Sequence, residues 1–231
     1  GFDTVAETAR RFGITTPVSR QPAMTLGSSE ATLFEMTNAY ATVAGGGLEH
    51  APYAITRITT GTGRVLYNRS EGETRQVVAP VVAAQMTQLM QAAVEEGTAR
   101  AAQIGRPLAG KTGTTSSNKD GWFIGFSSGI TTGVWMGRDD AKAVRGLAGG
   151  RAPARAFAQF MARAVGGTPP EPLTTEIVED GLGLEPDAQS YGITIEDAPP
   201  IDSEAPPADE APRLDDNWLD KTLKEPAEEP R

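Results

Sequence analysis

The stretch 105–137 constrains the fold most, because three short strand-like runs follow one another there with only brief connections. The runs contain LAGKTG, GWFIGF and ITTGVWMG, and they are joined by TTSSNKD and SSG. Two parallel neighbours would need a crossover of about a dozen or more residues, which these connections do not provide. The sequence therefore predicts three consecutive strands that pair antiparallel.

Helical patterns lie on both sides of this strand region. Apolar residues recur at helical spacing over about residues 4–12 and 30–44, from Pro80 until Gly97, and again from near Pro153. A further pair of β-rich runs, YAITRI and RVLYN, flanks TTGTG and predicts a hairpin. An antiparallel sheet flanked by helices that are separate in sequence is an α+β fold.

The periodicity also predicts caps and core residues for these helices. Asp3 is the expected N-cap of the first helix, and Ser28 or Ser29 that of the second. The predicted buried faces are Leu33, Met36, Tyr40 and Val43 in the second helix, Val82, Met86, Leu89, Ala93 and Val94 in the third, and Phe157, Phe160, Met161 and Ala164 in the fourth.

Charge and proline divide the chain near residue 165. Residues 166–231 carry 4 Lys and Arg against 18 Asp and Glu, together with 11 of the 17 prolines, whereas residues 1–165 carry 17 basic against 12 acidic residues. An acidic, proline-rich segment with little periodic apolar content cannot bury enough surface to offset its ordering entropy. We therefore expect a folded portion at 1–165 and a largely disordered acidic tail at 166–231.

Composition argues against several other classes of protein. There is no cysteine and one histidine, which disfavours a disulfide framework and a transition-metal site, and no pattern indicates a cofactor. No stretch of about 18 apolar residues is present, so no membrane span is predicted. No basic run is interleaved with aromatic residues, so nucleic acid is not an expected partner. His50 is expected in an exposed loop without a catalytic role.

Residues 105–113 fit two unrelated motifs at once. Gly105 to Thr112 matches G-x-x-x-x-G-K-T, the pattern of a phosphate-binding loop. Residues 111–113 spell K-T-G, the pattern of a strand in enzymes that transfer an acyl group to a serine of their own active site. A phosphate loop must follow a buried strand and open a helix at the lysine. The upstream VEEGTARAAQI is polar and the downstream GTTSSNKDG is rich in turn formers, so nucleotide binding remains only a distant alternative.

The strand interpretation assigns a role to each residue of the second motif. Acyl transfer to a serine needs a cation and a hydroxyl that hold the substrate carboxylate, which Lys111 and Thr112 would supply. Gly113 would let the substrate backbone approach closely. The backbone N–H of Thr114 would then help to bind the oxyanion of the tetrahedral intermediate.

Several spaced stretches, beyond K-T-G alone, resemble one known family. KTGTT followed by KDGWFIGF and GVWMGRDD, and preceded by LGSSEATLFEMTNAYATVAGGG, resembles the transpeptidase domain of class A penicillin-binding proteins over about residues 1–165. The resemblance implies the penicillin-binding and serine β-lactamase-like fold, incomplete in this chain. In the Asp120–Phe123 stretch Gly121 replaces the family's alanine, and Trp122 and Phe123 are expected to be packing residues.

The resemblance implies a role in peptidoglycan synthesis. The expected activity is D-alanyl-D-alanine transpeptidation, in which a serine is acylated by one stem peptide and an amine of a second one resolves the ester into a cross-link. β-Lactams would acylate the same serine. Lys111 carries over as a catalytic and substrate-binding residue, and Thr112, Gly113 and Thr114 as substrate-binding residues. The parent protein would also polymerise a lipid-linked precursor at the periplasmic face of the inner membrane.

The chain departs from the family pattern in its nucleophile motifs. The family's S-x-x-K and S-x-N precede K-T-G, but here the matching stretches are Ser116–Lys119 and Ser116–Asn118, which overlap just after it. We interpret both as coincidences and expect the nucleophile, the glycosyltransferase domain and a membrane anchor upstream of this chain. The chain alone is then expected to be inactive. A non-catalytic module that binds stem peptides or partner proteins remains the alternative.

Overall fold

The computed structural model of the protein describes residues 1–70, 72 and 74–175. Most of the predicted acidic tail lies outside the described residues. Four α-helices are present in this part of the chain: α1 (Phe2–Arg11), α2 (Leu33–Ala44), α3 (Pro80–Glu95) and α4 (Ala152–Ala164). Short 3₁₀ helices occupy Pro22–Leu26 and Arg100–Ala102. The helix bounds agree with the periodicity of the sequence to within about three residues.

Seven strands form three antiparallel sheets in the described residues. Strands β1 (Leu48–His50) and β4 (Thr74–Gln76) form one pair, and β2 (Arg57–Thr59) and β3 (Val65–Asn68) form the predicted hairpin. The third sheet has the order β5 (Ala109–Thr114), β6 (Asp120–Ser127) and β7 (Ile130–Gly137). The predicted α+β class and the antiparallel pairing of the three consecutive strands are confirmed.

The three-stranded sheet is covered on both faces. On one face the ring of Phe123 meets the ring of Phe157 from α4 edge to face, with the centroids 4.6 Å apart. On the other face Phe126 clusters with Met90 of α3. A Cβ on Gly133 would collide with Thr37 of α2, so the missing side chain allows α2 to pack directly on β7. The sheet is therefore held between α4 on one side and α2 and α3 on the other.

Several predicted caps and core faces are wrong. Asp3 lies in the first turn of α1 instead of capping it, and α2 is capped by Thr32 rather than by Ser28 or Ser29. Met86 and Leu89 are 43% and 66% exposed, because α3 buries the face that carries Ala83, Ala84, Thr87, Met90 and Val94. Likewise, α4 buries Phe157 and Met161 while Phe160 is 54% exposed. His50 is exposed as predicted, but it lies in β1 and not in a loop.

Glu35 is the central residue of the cap of α2. Glu35 is only 9% exposed. Its carboxylate accepts hydrogen bonds from both the backbone N–H and the hydroxyl of Thr15, Thr16 and Thr32, at 2.6–3.0 Å. The hydroxyl of Thr32 in turn accepts from the N–H of Glu35, which completes a capping box. The hydroxyl of Thr15 and the other donors hold the pKa of Glu35 well below its ordinary range. One carboxylate thus ties the segment after α1 to the start of α2.

Glu35→Gln is expected to lower stability at pH 7 and to flatten the pH dependence of stability below pH 5. A carboxylate with a depressed folded-state pKa stabilises the protein above its unfolded pKa of about 4.3, and this contribution is lost as the pH falls. The free energy of unfolding, measured in urea at pH 7 and pH 3, should therefore fall more in the wild type than in Glu35→Gln. Glu30→Gln, at an exposed position, is the control, and equal slopes for all three proteins would contradict the prediction.

Candidate active site

The residues singled out by the K-T-G motif lie on β5, an edge strand of the three-stranded sheet. Lys111 to Thr114 pair with β6 on one side, and among the described residues no strand pairs with β5 on the other. No helix begins at Lys111, since the strand continues through Thr114 and a turn follows it. The structure therefore contradicts the alternative of a phosphate-binding loop.

The register of the sheet places neighbouring residues of the motif on opposite faces. Thr112 pairs with Phe123, which packs against Phe157 of α4. The side chain of Thr112 therefore lies on the face of the sheet that α4 covers. Lys111 pairs with Ile124, so its side chain extends from the opposite face of the sheet. A single ligand can therefore contact Lys111 and Thr112 together only along the free edge of β5.

The two threonine hydroxyls of the motif both have partners. Thr114 Oγ1 accepts a hydrogen bond from the backbone N–H of Gly149, at 2.9 Å. Thr112 Oγ1 lies 2.8 Å from Thr98 Oγ1, in the segment between α3 and β5. Since Thr112 and Thr114 are two residues apart on a strand, both hydroxyls lie on the same face.

The cation and one backbone donor are directed to the free edge. Lys111 is exposed, and its Nζ donates to the carbonyl oxygen of Thr112 at 2.8 Å; it forms no ion pair with the described residues. Thr115 N–H donates across the turn to Asp120 O at 3.4 Å. Successive backbone groups of a strand alternate between its edges, so the N–H of Thr114 points away from β6. The free edge thus presents a positive charge and an outward N–H donor, and two hydroxyls lie on the adjoining α4 face of the same strand.

Gly113 is closely packed within the protein itself. A Cβ at this position would lie 3.1 Å from the Cβ of Trp122 on β6. A Cβ on Gly149 would lie 2.5 Å from the carbonyl oxygen of Gly113, so the loop that contains Gly149 rests directly on the strand backbone. A Cβ on Gly121 would likewise lie 3.3 Å from this loop. A side chain at Gly113 or Gly121 would therefore require these neighbours to move by a few tenths of an ångström.

The residues of the overlapping S-x-x-K and S-x-N matches lie in the turn between β5 and β6. Ser116 is exposed, and Asn118 has a positive φ of 52°. The Asn118 side chain donates to the carbonyl oxygen of Leu147, and its own carbonyl accepts from Val144 N–H at 2.9 Å. Asn118 therefore ties the turn to the loop that leads to Gly149.

Thr98 and Gly149 are neighbours of the motif that no sequence pattern predicts. Thr98 precedes Lys111 by 13 positions and Gly149 follows Thr114 by 35, so neither belongs to a local pattern. Trp122 and Phe123 were predicted to pack, and this is confirmed: Phe123 is fully buried and Trp122 is half-buried against Gly113.

Residues 1–70, 72 and 74–175 contain no group of three His, Cys, Asp or Glu side chains that could hold a metal ion. In the same residues, no helix has the length and apolar character required to span a membrane.

Comparison with known proteins identifies a family. The family model described as the penicillin binding protein transpeptidase domain matches residues 6–162. The chain is 31% identical over 209 residues to penicillin-binding protein 1A of Rickettsia bellii, covering 80% of this chain and 26% of that protein. It is 37% identical over 145 residues to penicillin-binding protein 1A of Aquifex aeolicus, covering 62% and 20%. The chain thus spans about a quarter of the length of these curated relatives.

Solved structures agree with this result. The penicillin-binding protein PonA1 of Mycobacterium tuberculosis superimposes with a TM-score of 0.65 and 27% identity, over 73% of this chain and 51% of that one. Penicillin-binding protein 1A of Haemophilus influenzae has a TM-score of 0.64 at 24% identity, over 78% and 35%, and supports the fold alone. The resemblance noted in the sequence is confirmed, and the chain belongs to the family of penicillin-binding protein transpeptidase domains.

Proposed function

We propose that this chain supplies the carboxylate-binding edge of a D-alanyl-D-alanine transpeptidase that cross-links peptidoglycan stem peptides. The observation that carries the proposal is the free edge of β5. In a member of this family, that edge strand combines the Lys111 cation and an outward N–H at its free edge with the Thr112 and Thr114 hydroxyls on its α4 face. A stem peptide that ends in a free carboxylate offers an anion and an extended backbone, and both are complementary to such an edge.

In the proposed mechanism each of these groups acts on one part of the substrate. Lys111 and Thr112 hold the terminal carboxylate, and Thr114 N–H binds the oxygen of the scissile carbonyl. A serine hydroxyl adds to that carbonyl, the negative charge develops on the oxygen held by Thr114, and D-alanine leaves with a proton as the ester forms. An amine of a second stem peptide then displaces the serine, which regains its proton.

The nucleophilic serine is proposed to lie outside this chain. The reason is that S-x-x-K and S-x-N are absent from the positions where the family has them, while Ser116 lies in the turn directly after β5. The chain by itself is then inactive. We also propose that residues 1–165 are the folded portion and that 166–231 form a separate acidic tail. The lipid-linked precursor and anchorage at the periplasmic face of the inner membrane are assigned to the parent protein on the same family resemblance.

Penicillins are the proposed inhibitors. PonA1 of M. tuberculosis, which is 27% identical to this chain, has been solved in complex with penicillin V. A penicillin carries both a carboxylate and a reactive carbonyl, so it presents to the edge of β5 the same two groups as a stem peptide.

A fluorescent penicillin tests this function directly. The protein expressed from its complete gene should be labelled covalently, whereas residues 1–231 alone, shown to be folded by circular dichroism, should not. Ser116→Ala should leave the labelling of the complete protein unchanged. If the complete protein is not labelled, the enzyme proposal fails and a non-catalytic binding module is favoured. If the chain alone is labelled and Ser116→Ala abolishes this, the nucleophile has been assigned wrongly.

A further inference from the structure

Thr98 contacts the proposed carboxylate-binding site although it belongs to no motif. It lies in the turn that connects α3 to the 3₁₀ helix Arg100–Ala102, and its hydroxyl oxygen is 2.8 Å from that of Thr112. The adjacent Ala99 is completely buried in the main core cluster. The backbone of the turn is thus anchored in the interior while the Thr98 hydroxyl reaches the surface beside β5.

The loop between β7 and α4 also packs against Thr98 and Thr112. A Cβ on Gly150 would collide with the carbonyl oxygen of Thr98 and would lie 3.7 Å from Cγ2 of Thr112. Gly150 therefore packs at the junction of the turn and the strand. The neighbouring Gly149 N–H is the donor to Thr114 Oγ1. The positions of the Thr112 and Thr114 hydroxyls are consequently set by contacts with segments outside β5.

The donors and acceptors of the Thr112 and Thr114 hydroxyls indicate what these contacts do. A hydroxyl has one proton to donate and two lone pairs that can accept. Gly149 N–H occupies a lone pair of Thr114 Oγ1 and leaves the Thr114 proton available. If Thr98 donates to Thr112 Oγ1, the Thr112 proton is available in the same way. Two O–H groups on one face would then both be directed to an anion at the strand edge.

We propose that Thr98 is a positioning residue for the substrate carboxylate: its hydroxyl donates to Thr112 Oγ1, and this keeps the Thr112 proton for the bound anion. The inference rests on the proposed function, in which Thr112 contacts that carboxylate. The reverse direction of the hydrogen bond would direct the Thr112 proton to Thr98 and leave only a lone pair facing the anion. Thr98 thus selects the hydrogen-bonding state of Thr112 that can bind a carboxylate.

The test compares a ligand that has the carboxylate with one that lacks it. The second-order rate constant of acylation is measured for benzylpenicillin and for its methyl ester, with the protein expressed from its complete gene. Thr98→Val, which keeps the shape but removes the hydroxyl, should slow acylation by benzylpenicillin about fivefold, because Thr112 loses the neutral hydrogen bond that orients its hydroxyl toward the carboxylate. The ester rate should change less than about twofold, and Thr98→Ser should restore the wild-type rate for both ligands to within about twofold.

Two further variants make each outcome decisive. Thr62→Val is the matched control, because Thr60 and Thr62 form a similar surface pair of hydroxyls, 2.9 Å apart, on the β2–β3 hairpin. It should leave both rates unchanged. Thr112→Val should slow only the reaction with the free carboxylate, and adding Thr98→Val to it should have little further effect.

Each result points to a different conclusion. If Thr98→Val slows both ligands equally, or if Thr98→Ser does not restore the rate, Thr98 has a structural role only and the inference is overturned. If Thr98→Val has no effect while Thr112→Val shows the carboxylate-specific loss, the inference fails but the proposed function stands. If Thr112→Val shows no such loss, or the wild type is not acylated at all, the proposed function fails and the inference fails with it.

Discussion

Lys111→Ala is expected to lower the rate constant of penicillin acylation by at least about 100-fold, the scale on which the loss of one preorganised electrostatic group acts. Lys111 is exposed on an edge strand, forms no ion pair with the described residues, and lies next to the proposed carboxylate contact at Thr112. Its removal takes away the cation that the proposal places beside the carboxylate of the ligand. The measurement is acylation of the protein expressed from its complete gene, followed with a fluorescent penicillin.

Lys119→Ala is the matched control for this change. Lys119 is also exposed and lies in the turn between β5 and β6, eight residues from Lys111, so its removal changes the net charge equally. It should alter acylation by less than about threefold, as expected for a surface charge screened by solvent. Equal losses in the two variants would show that the overall charge matters and that the position of Lys111 does not.

Phe157→Ala is expected to lower the free energy of unfolding by about 4 kcal/mol, within the range for removal of a fully buried aromatic ring. Phe157 has no exposed surface and meets Phe123 edge to face, so alanine would leave a cavity between α4 and β6. Phe123 lies opposite Thr112 in the sheet. The change should therefore also loosen the strand that carries the proposed site.

Phe160→Ala tests whether the effect comes from burial. Phe160 lies on the same helix but is 54% exposed, so its replacement should cost less than about 1.5 kcal/mol. Unfolding in urea, followed by circular dichroism at pH 7, gives both values. A loss at Phe160 as large as that at Phe157 would mean that the helix is packed on the face predicted from the sequence.

The strands were predictable because local chemistry specifies them. The short connections within 105–137 leave antiparallel pairing as the sole arrangement of consecutive strands, and the TTGTG turn specifies the β2–β3 hairpin. The pairing of β1 with β4 was missed. Its partners Leu48 and Gln76 are 28 positions apart, and strands of three residues give too little alternation to be recognised.

The buried faces of the helices were harder to predict than the helices themselves. α3 is rich in apolar residues on more than one side, so periodicity alone selected Met86 and Leu89. The face that is buried carries alanines and Thr87, because small side chains allow α3 to lie close to β5 and its neighbours. The cap of α2 was missed for a different reason. Ser28, Ser29 and Thr32 are all residues that cap helices, but only Thr32 is followed three positions later by a glutamate, and this capping-box pattern in the sequence distinguishes it.

Only the part of the proposed site that belongs to the K-T-G motif could be predicted from the sequence. K-T-G located Lys111, Thr112, Gly113 and the following Thr114 on a strand, and the strand is present. The side chain of Thr98 and the loop at Gly149 reach that strand through tertiary packing, which leaves no signature in the local sequence. The turn at Asn118 is the opposite case, in which a local pattern is present without the function. Its S-x-N sequence resembles a catalytic motif, but the polar groups of Asn118 form hydrogen bonds with a neighbouring loop.

The hydrogen bond from Gly149 N–H to Thr114 Oγ1 has a practical consequence for spectroscopy. The resonance frequency of an amide proton depends on the charge of the oxygen that accepts it, and that charge changes when the Thr114 hydroxyl itself donates to an anion. The Gly149 amide signal is therefore a native probe of occupancy at the edge of β5, read by nuclear magnetic resonance without attaching a label to either partner.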